Sequence, residues 1–447
     1  MTARARALAA RLRPDLAPLR HSRDFRLLYV GRAAGSAGAE VCYVAMPFQA
    51  YAISHSSLIV GLLSCAELLP LLGAGLVGGA LADAVERRGV IVVSQVVAAL
   101  AITGLAVNAV IWHALWILFA LAIVLAGATG VQRPSVEVLV PALVGGGDLH
   151  GASSLTGMLG TAVYTVGPLA AGGLLTAGLP VAYLAATGAC AAAAVPFGLM
   201  RRQPPTPGAD RPSLRGIADG LRYARTRSDL LGSYLIDIGA MFFGAPYAVF
   251  PQIAAGLGGP AVLGLLYAAP GLGAFAVSVT SGWTRHVRRH GRAIALAVCG
   301  WGLAIAGFGF APDLPAAVGA LAVAGGADMV SGLFRMTLWN QTIPAAVRGR
   351  LAGLEMISYT TGEPLGNAET GALAALSGSV RLAVVSGGVL SIAGAVIVCL
   401  ALPGLWRYDA GQAGVGTGEP ASTAADPATP SLAASSRHQS CPDSGSV

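Results

Sequence analysis

Residues 61–79 read Gly-Leu-Leu-Ser-Cys-Ala-Glu-Leu-Leu-Pro-Leu-Leu-Gly-Ala-Gly-Leu-Val-Gly-Gly, apolar throughout except for Ser64 and Glu67. At an offset of 203 residues the chain returns to the same frame: Gly61-Leu62-Leu63 falls on Gly264-Leu265-Leu266, and Gly79 on Gly282. Outside that stretch the same offset sets Gln49 on Gln252 and Pro141 on Pro344. One offset serving landmarks spread over almost a hundred residues points to two related membrane bundles in tandem, the build of many carriers.

The rest of the chain agrees with a lipid environment. Of its residues 55% are hydrophobic and 11% charged, with mean hydropathy +0.69, whereas soluble domains carry about 25% charged residues. A spanning helix needs roughly 20 mostly apolar residues. Twelve such segments are predicted at 29–53, 58–80, 90–110, 114–136, 152–174, 181–200, 231–255, 261–283, 293–311, 315–340, 351–375 and 382–403. The expected fold class is therefore an all-α membrane protein of twelve transmembrane helices in two pseudo-symmetric six-helix halves. The expected division is an N-terminal segment 1–28, a first bundle 29–200, a linker 201–230, a second bundle 231–404 and a tail 405–447. The linker opens Arg201-Arg202-Gln203-Pro204-Pro205 and contains an amphipathic stretch from Leu214 to Tyr223 suited to a membrane surface. The tail, rich in Gly, Ser, Thr, Pro and Ala, cannot bury a core and is expected to be disordered. Most of the 61 glycines fit close helix packing in lipid.

All 28 basic residues are arginine. With no lysine there is no Walker-type phosphate loop and no Schiff-base chemistry, so an ATP-driven pump on this chain is excluded. The arginines sort by side. Eight lie in the first 32 residues, two between segments 2 and 3, seven in 201–227, four in 285–292, and Arg348 and Arg350 before segment 11, whereas the loops 54–57, 111–115 and 256–260 carry none. The positive-inside rule then places both termini in the cytoplasm, which requires an even number of spans. The net charge of +7 orients the chain against an anionic leaflet and calls for no nucleic-acid partner. The long first span lacks a small-residue cleavage site, so no removable signal peptide is read. The six cysteines and seven histidines show neither disulfide nor metal-ligand spacing. No nucleophile and base stand at usable spacing; neither enzyme activity, metal nor cofactor is expected.

Between segments 2 and 3 the chain reads Gly78-Gly79-Ala80-Leu81-Ala82-Asp83-Ala84-Val85-Glu86-Arg87-Arg88. This loop resembles the signature of the major facilitator superfamily, keeping Gly79, Leu81, Asp83, Arg87 and Arg88 and departing at Ala84 and Glu86. Those departures resemble the siderophore exporters of the enterobactin-exporter branch and related drug-efflux carriers. Further likeness to that branch covers residues 20–404, including Arg23-Asp24-Phe25-Arg26, Pro141-Ala142-Leu143-Val144 and Arg348-Gly349-Arg350-Leu351-Ala352-Gly353-Leu354. The resemblance implies a conformational latch of Gly79, Asp83, Arg87, Arg88 and Glu137. In it Asp83 sits against the N-terminus of segment 11, where free N–H groups favour negative charge, and Arg87 pairs with Glu137. The second half has Gly282-Trp283-Thr284-Arg285-His286 at the same place, without the acid.

Charges within spans are costly and mark partners, cavities or proton sites. Glu40, Glu67, Asp237, Asp328, Arg335 and Glu363 are the candidates for substrate or proton binding, with Glu355 and Glu369 beside them on segment 11. The resemblance favours Glu40, Asp237 and Asp328, since segments 1, 7 and 10 line the central cavity in this superfamily. Segment 11 would stand at the flank, its acids pairing with Arg335 or Arg133. Burial favours the neutral form of a carboxyl group, so such a group can exchange a proton near neutral pH. Tyr43, Phe48, Tyr234, Phe242, Phe243, Tyr247 and Trp339 could line an adaptable cavity or simply pack between helices. The expectation is a monomeric, multi-pass carrier of the inner (plasma) membrane that exports a small organic molecule such as a siderophore by proton antiport. Antibiotic or multidrug efflux is the alternative, ahead of nutrient import or a non-transporting scaffold.

Overall fold

The structure, a computed structural model, describes residues 15–203, 214–343 and 345–410. Twelve long helical segments fall on the twelve expected. The first half comprises α1 (Arg23–Ser54), α2 (Ser57–Ala84), α3 (Arg87–Val107), α4 (Leu115–Ala142), α5 (Leu149–Thr176) and α6 (Leu179–Leu199). The second comprises α7 (Ser228–Gly244), α8 (Pro260–Thr280), α9 (His290–Gly309), α10 (Leu314–Thr342), α11 (Ala345–Ser377) and α12 (Val380–Ala401). Local chemistry sets several starts: the Phe25 N–H donates to Ser22 Oγ at 3.1 Å ahead of α1, and the Ala316 N–H to Asp313 Oδ1 at 2.9 Å ahead of α10. These are N-caps that satisfy otherwise orphaned donors. The amphipathic linker stretch forms the helix Leu214–Thr226, which packs against α11. Residues 411–447, most of the expected tail, lie outside the described residues.

Ten described helices are long and apolar enough to cross a membrane. The two long helices left out are α1 and α11, at 32 and 33 residues. At about 1.5 Å per residue they have ample length; their charges, among them Glu40 on α1 and Glu355, Glu363 and Glu369 on α11, lower their hydropathy. Both lie where the halves meet. Helix α11 packs against α2, and Tyr43 of α1 is bonded to Glu363 of α11. A position away from lipid is the one that tolerates such residues.

Segment 7 departs from the expected continuous span 231–255. Helix α7 stops at Gly244, Ala245 is extended (φ −80°, ψ 108°), and helical structure resumes at Tyr247–Val249 and Phe250–Leu257. Pro246 has no N–H to continue the ladder and disfavours a helical conformation before it. The carbonyl of Ala245 accepts instead from Thr370 Oγ1 of α11 at 2.9 Å, consistent with broken backbone at membrane depth being held by protein.

The halves meet along α2 with α11 and α5 with α8. The close approaches fall toward the arginine-poor ends: Gly61 against Asn367, Gly371 against Ser57, and Gly172 against Gly264. Ser57 Oγ donates to Gln252 Oε1 at 2.7 Å across the same junction. Gly172 has to be glycine there, since a Cβ would stand 2.8 Å from the Gly264 Cα. A side chain at either position therefore opposes closure. Overpacking costs about 1–3 kcal/mol, which lowers the closed-to-open ratio by roughly 5- to 150-fold. Gly264→Val is expected to raise labelling of a Ser57→Cys thiol by a membrane-impermeant maleimide; labelling equal to that of Ser57→Cys alone would show that this contact does not hold the end shut.

Candidate functional site

Four of the six expected intramembrane candidates converge where the halves face each other. Tyr43 Oη of α1 donates to Glu363 Oε1 of α11 at 2.6 Å, one half bonded to the other. Glu363 is within electrostatic reach of Glu40 on α1, Glu67 on α2 and Asp328 on α10. Glu40 packs against α5 at Gly167, where a side chain would collide with it, and its Oε2 is buried with no hydrogen bond among the described residues. Asp328 stays open, its side chain 44% accessible. Helix 11 thus belongs to the centre, and not to the flank as the resemblance implied.

A cavity of about 30 Å³ adjoins this cluster, roughly the room one water takes in the liquid. Glu67, Ser64, Asn367 and the rings of Tyr43, Tyr247 and Tyr267 line it. The rings lock one another: Tyr43 meets Tyr267 edge-on with centroids 5.3 Å apart, and Tyr247 stacks on Tyr267 at 5.8 Å. The break after α7 is what brings Tyr247 there. Asn367 is 4% exposed; its Nδ2 donates to Ser64 Oγ at 3.4 Å while its Oδ1 has no partner among the described residues. Tyr267 and Asn367 were absent from the sequence-based candidates. An offset that aligned Gly264 with Gly61 directs attention to α8, but nothing local marks Tyr267 as facing Tyr43.

Asp237 and Arg335 form a second group, inside the second half. They are 4% and 8% exposed and make an ion pair, and Ser358 Oγ of α11 donates to Asp237 Oδ2 at 2.8 Å. Arg335 Nη2 also lies 3.8 Å from Asp328 Oδ1. The partners of Arg335 are therefore on α7 and α10, where an acid of segment 11 was expected. Tyr234 and Trp339 pack on each other at 5.1 Å, the indole N–H donating to Ser233 Oγ at 2.9 Å, so these two aromatics serve packing.

At the other end, Gly79 is buried near the end of α2, while the side chain of Asp83 lies outside the described residues, as do those of Arg348 and Arg350. Arg87 is 3% exposed and its backbone N–H donates to the Gln203 carbonyl at 3.3 Å. Arg88 Nη1 donates to the Met200 carbonyl at 2.8 Å. Glu137, the acid expected opposite Arg87, forms an ion pair with Arg133 one turn earlier, at 3.2 Å.

With this arrangement in view, comparison with known proteins is specific. The family described as transmembrane secretion effector matches residues 14–412. The enterobactin exporter EntS of Citrobacter koseri is 29% identical over 390 residues, covering 86% of this chain and 94% of its own. Its counterpart in Shigella boydii serotype 4 is 29% identical over 398 residues, covering 88% and 95%. Among solved structures, a POT family transporter in complex with 5-aminolevulinic acid superposes with TM-score 0.69 at 12% identity, over 86% of this chain and 97% of its own. The nucleoside transporter NupG does so with TM-score 0.63 at 12% identity, over 86% and 100%. These two structures establish the fold alone, whereas the family match runs through both halves and the linker. The chain belongs to the transmembrane secretion effector family of the major facilitator superfamily.

Proposed function

We propose that this protein is a secondary exporter of a small organic molecule, a siderophore first, driven by exchange with protons. The observation that carries the reading is the bond from Tyr43 to Glu363 between the halves, set among Glu40, Glu67 and Asp328. A carboxyl group that bridges two bodies which must separate makes their equilibrium depend on its protonation. Ionised, Glu363 accepts a charge-assisted hydrogen bond and repels the neighbouring acids; protonated, it loses that repulsion and weakens the bond. Proton uptake and the change of access are then one event, which is what antiport requires. The siderophore cargo is supported by the likeness to the enterobactin exporters. Within this reading Glu40, Glu67, Asp328 and Glu363 carry the proton, Asp237 and Arg335 hold α7, α10 and α11 together, and the loop from Gly79 to Arg88 latches the arginine-rich end. Both termini face the cytoplasm, as the arginine distribution supports, and the carrier works as a monomer in the plasma membrane.

The test is uptake into everted vesicles holding the protein, with a panel of siderophores and lipophilic dyes followed after a pH gradient is imposed. Accumulation that needs the gradient and is missing from vesicles without the protein is the expected result. Correctly inserted protein that accumulates none of the panel under any gradient would overturn the reading.

A further inference from the structure

The first half holds a second, larger cavity, between α1, α3 and α4, of about 300 Å³. That is the lower end of the volumes that hold small organic ligands. Its polar wall is Arg32 and Ser36 of α1, Gln95 of α3, and Gln132, Arg133 and Glu137 of α4. Apolar side chains, among them Ile102 and Leu125, close the other side. Three observations define what it would accept. First, charge: among the described residues Arg32 and Arg133 line the cavity with one carboxylate, Glu137, which is paired with Arg133 at 3.2 Å. Arg32 feels both of them at a distance and has no hydrogen bond or ion pair of its own among the described residues, leaving its guanidinium open to an anion. Second, an orphaned acceptor: Gln95 is 6% exposed, its Nε2 donates to Gln132 Oε1 at 3.0 Å, and its Oε1 is buried with no partner among the described residues. An amide oxygen buried without a donor is a standing cost. Third, the space for that amide exists because residue 35 is glycine: a Cβ there would stand 2.8 Å from Gln95 Nε2.

We propose that this cavity is a cargo subsite for an anionic oxygen group with a hydroxyl beside it, carried on an apolar body. Resting on the reading of the chain as a carrier, it names the chemistry of what is carried. The anion pairs with the guanidinium of Arg32, whose planar donor fork suits a carboxylate or similar group. The neighbouring hydroxyl donates to Gln95 Oε1, and the hydrocarbon part lies against Leu125. An amine-bearing cargo finds the opposite of what it needs, a guanidinium. The carboxylate cluster around Glu363 is thereby left to the proton, and the two charges of the exchange have separate seats.

Binding of three matched probes to the purified full-length protein tests this: mandelate, which has both groups; phenylacetate, which lacks the hydroxyl; and phenethylamine, which carries the opposite charge. Mandelate is expected to bind about tenfold more tightly than phenylacetate, with phenethylamine weakest. Arg32→Gln should weaken both acids by about tenfold or more, and Arg32→Lys by less. Gln95→Leu should remove the advantage of mandelate while leaving phenylacetate affinity intact, so retained phenylacetate binding shows that the variant is folded. The proposal is overturned if none of the probes binds the wild type, if phenethylamine binds as well as mandelate, or if Arg32→Gln leaves mandelate affinity unchanged. None of these measurements uses a proton gradient. Loss of gradient-driven transport with probe binding intact would fault the proposed function alone, and intact transport with no probe binding would fault the subsite alone.

Discussion

Glu363→Gln is expected to reduce gradient-driven accumulation to the level seen without a gradient, while exchange of labelled for unlabelled cargo at equal pH continues. Glutamine keeps the size of the side chain and can still accept from Tyr43, so the 2.6 Å contact between α1 and α11 survives in shape. What is lost is the proton: an amide does not titrate, and the two halves no longer sense pH at this point. The negative charge facing Glu40, Glu67 and Asp328 also disappears, which removes the repulsion opposing closure. The carrier becomes a facilitator. Comparing pH-jump uptake with counterflow in the same vesicles separates this outcome from simple inactivation, which would abolish both. Glu363→Asp, which keeps the titrating group but shortens its reach, should retain part of the driven transport. If the glutamine variant is driven as well as the wild type, coupling lies elsewhere, and Glu40→Gln is the next substitution to compare.

The second large effect concerns stability. Arg335→Met is expected to cost about 3–5 kcal/mol, because it leaves the carboxylate of Asp237 buried and without its cation. Asp237 is 4% exposed, and its remaining described partner is the hydroxyl of Ser358 at 2.8 Å, too little to offset the charge. Adding Asp237→Asn should restore most of the loss, since removing both charges also removes the desolvation cost of burying them. Thermal unfolding of the purified single and double variants measures both steps. A single variant that melts with the wild type would mean that Asp237 is protonated or hydrated in the native protein, and that the pair does not hold α7 to α10. The Asp237→Asn variant alone should be less damaging than Arg335→Met if the cation can turn to Asp328, already 3.8 Å away.

The twelve spans were legible because lipid offers no hydrogen-bond partners, so each crossing segment must satisfy its backbone from within; a local property of the chain decides them. The arginine distribution and the 203-residue repeat are likewise local counts that survive any packing. Pro246 could have announced the break in the seventh span, since the missing N–H is written in the sequence, yet where the freed carbonyl of Ala245 would find Thr370 was not. The candidate acids could be named because charges in apolar runs are rare, whereas their grouping could not. Glu363 reaches Tyr43 from 320 positions away, and Asp237 meets Arg335 and Ser358 from other helices. Helix rotation and the offset of one half against the other set these contacts, and hydropathy is blind to both. Gln95 and Arg32 show the limit most plainly. Neither stands out as a site residue in the sequence; only the packing of α1, α3 and α4 sets a carbonyl and a guanidinium, both without a hydrogen-bond partner among the described residues, on one cavity wall. Composition and hydropathy settle that the chain crosses the membrane as two related bundles, and with which polar residues; packing settles which of those polar residues face each other, because burial makes an interior charge or amide depend on partners that arrive from distant parts of the chain.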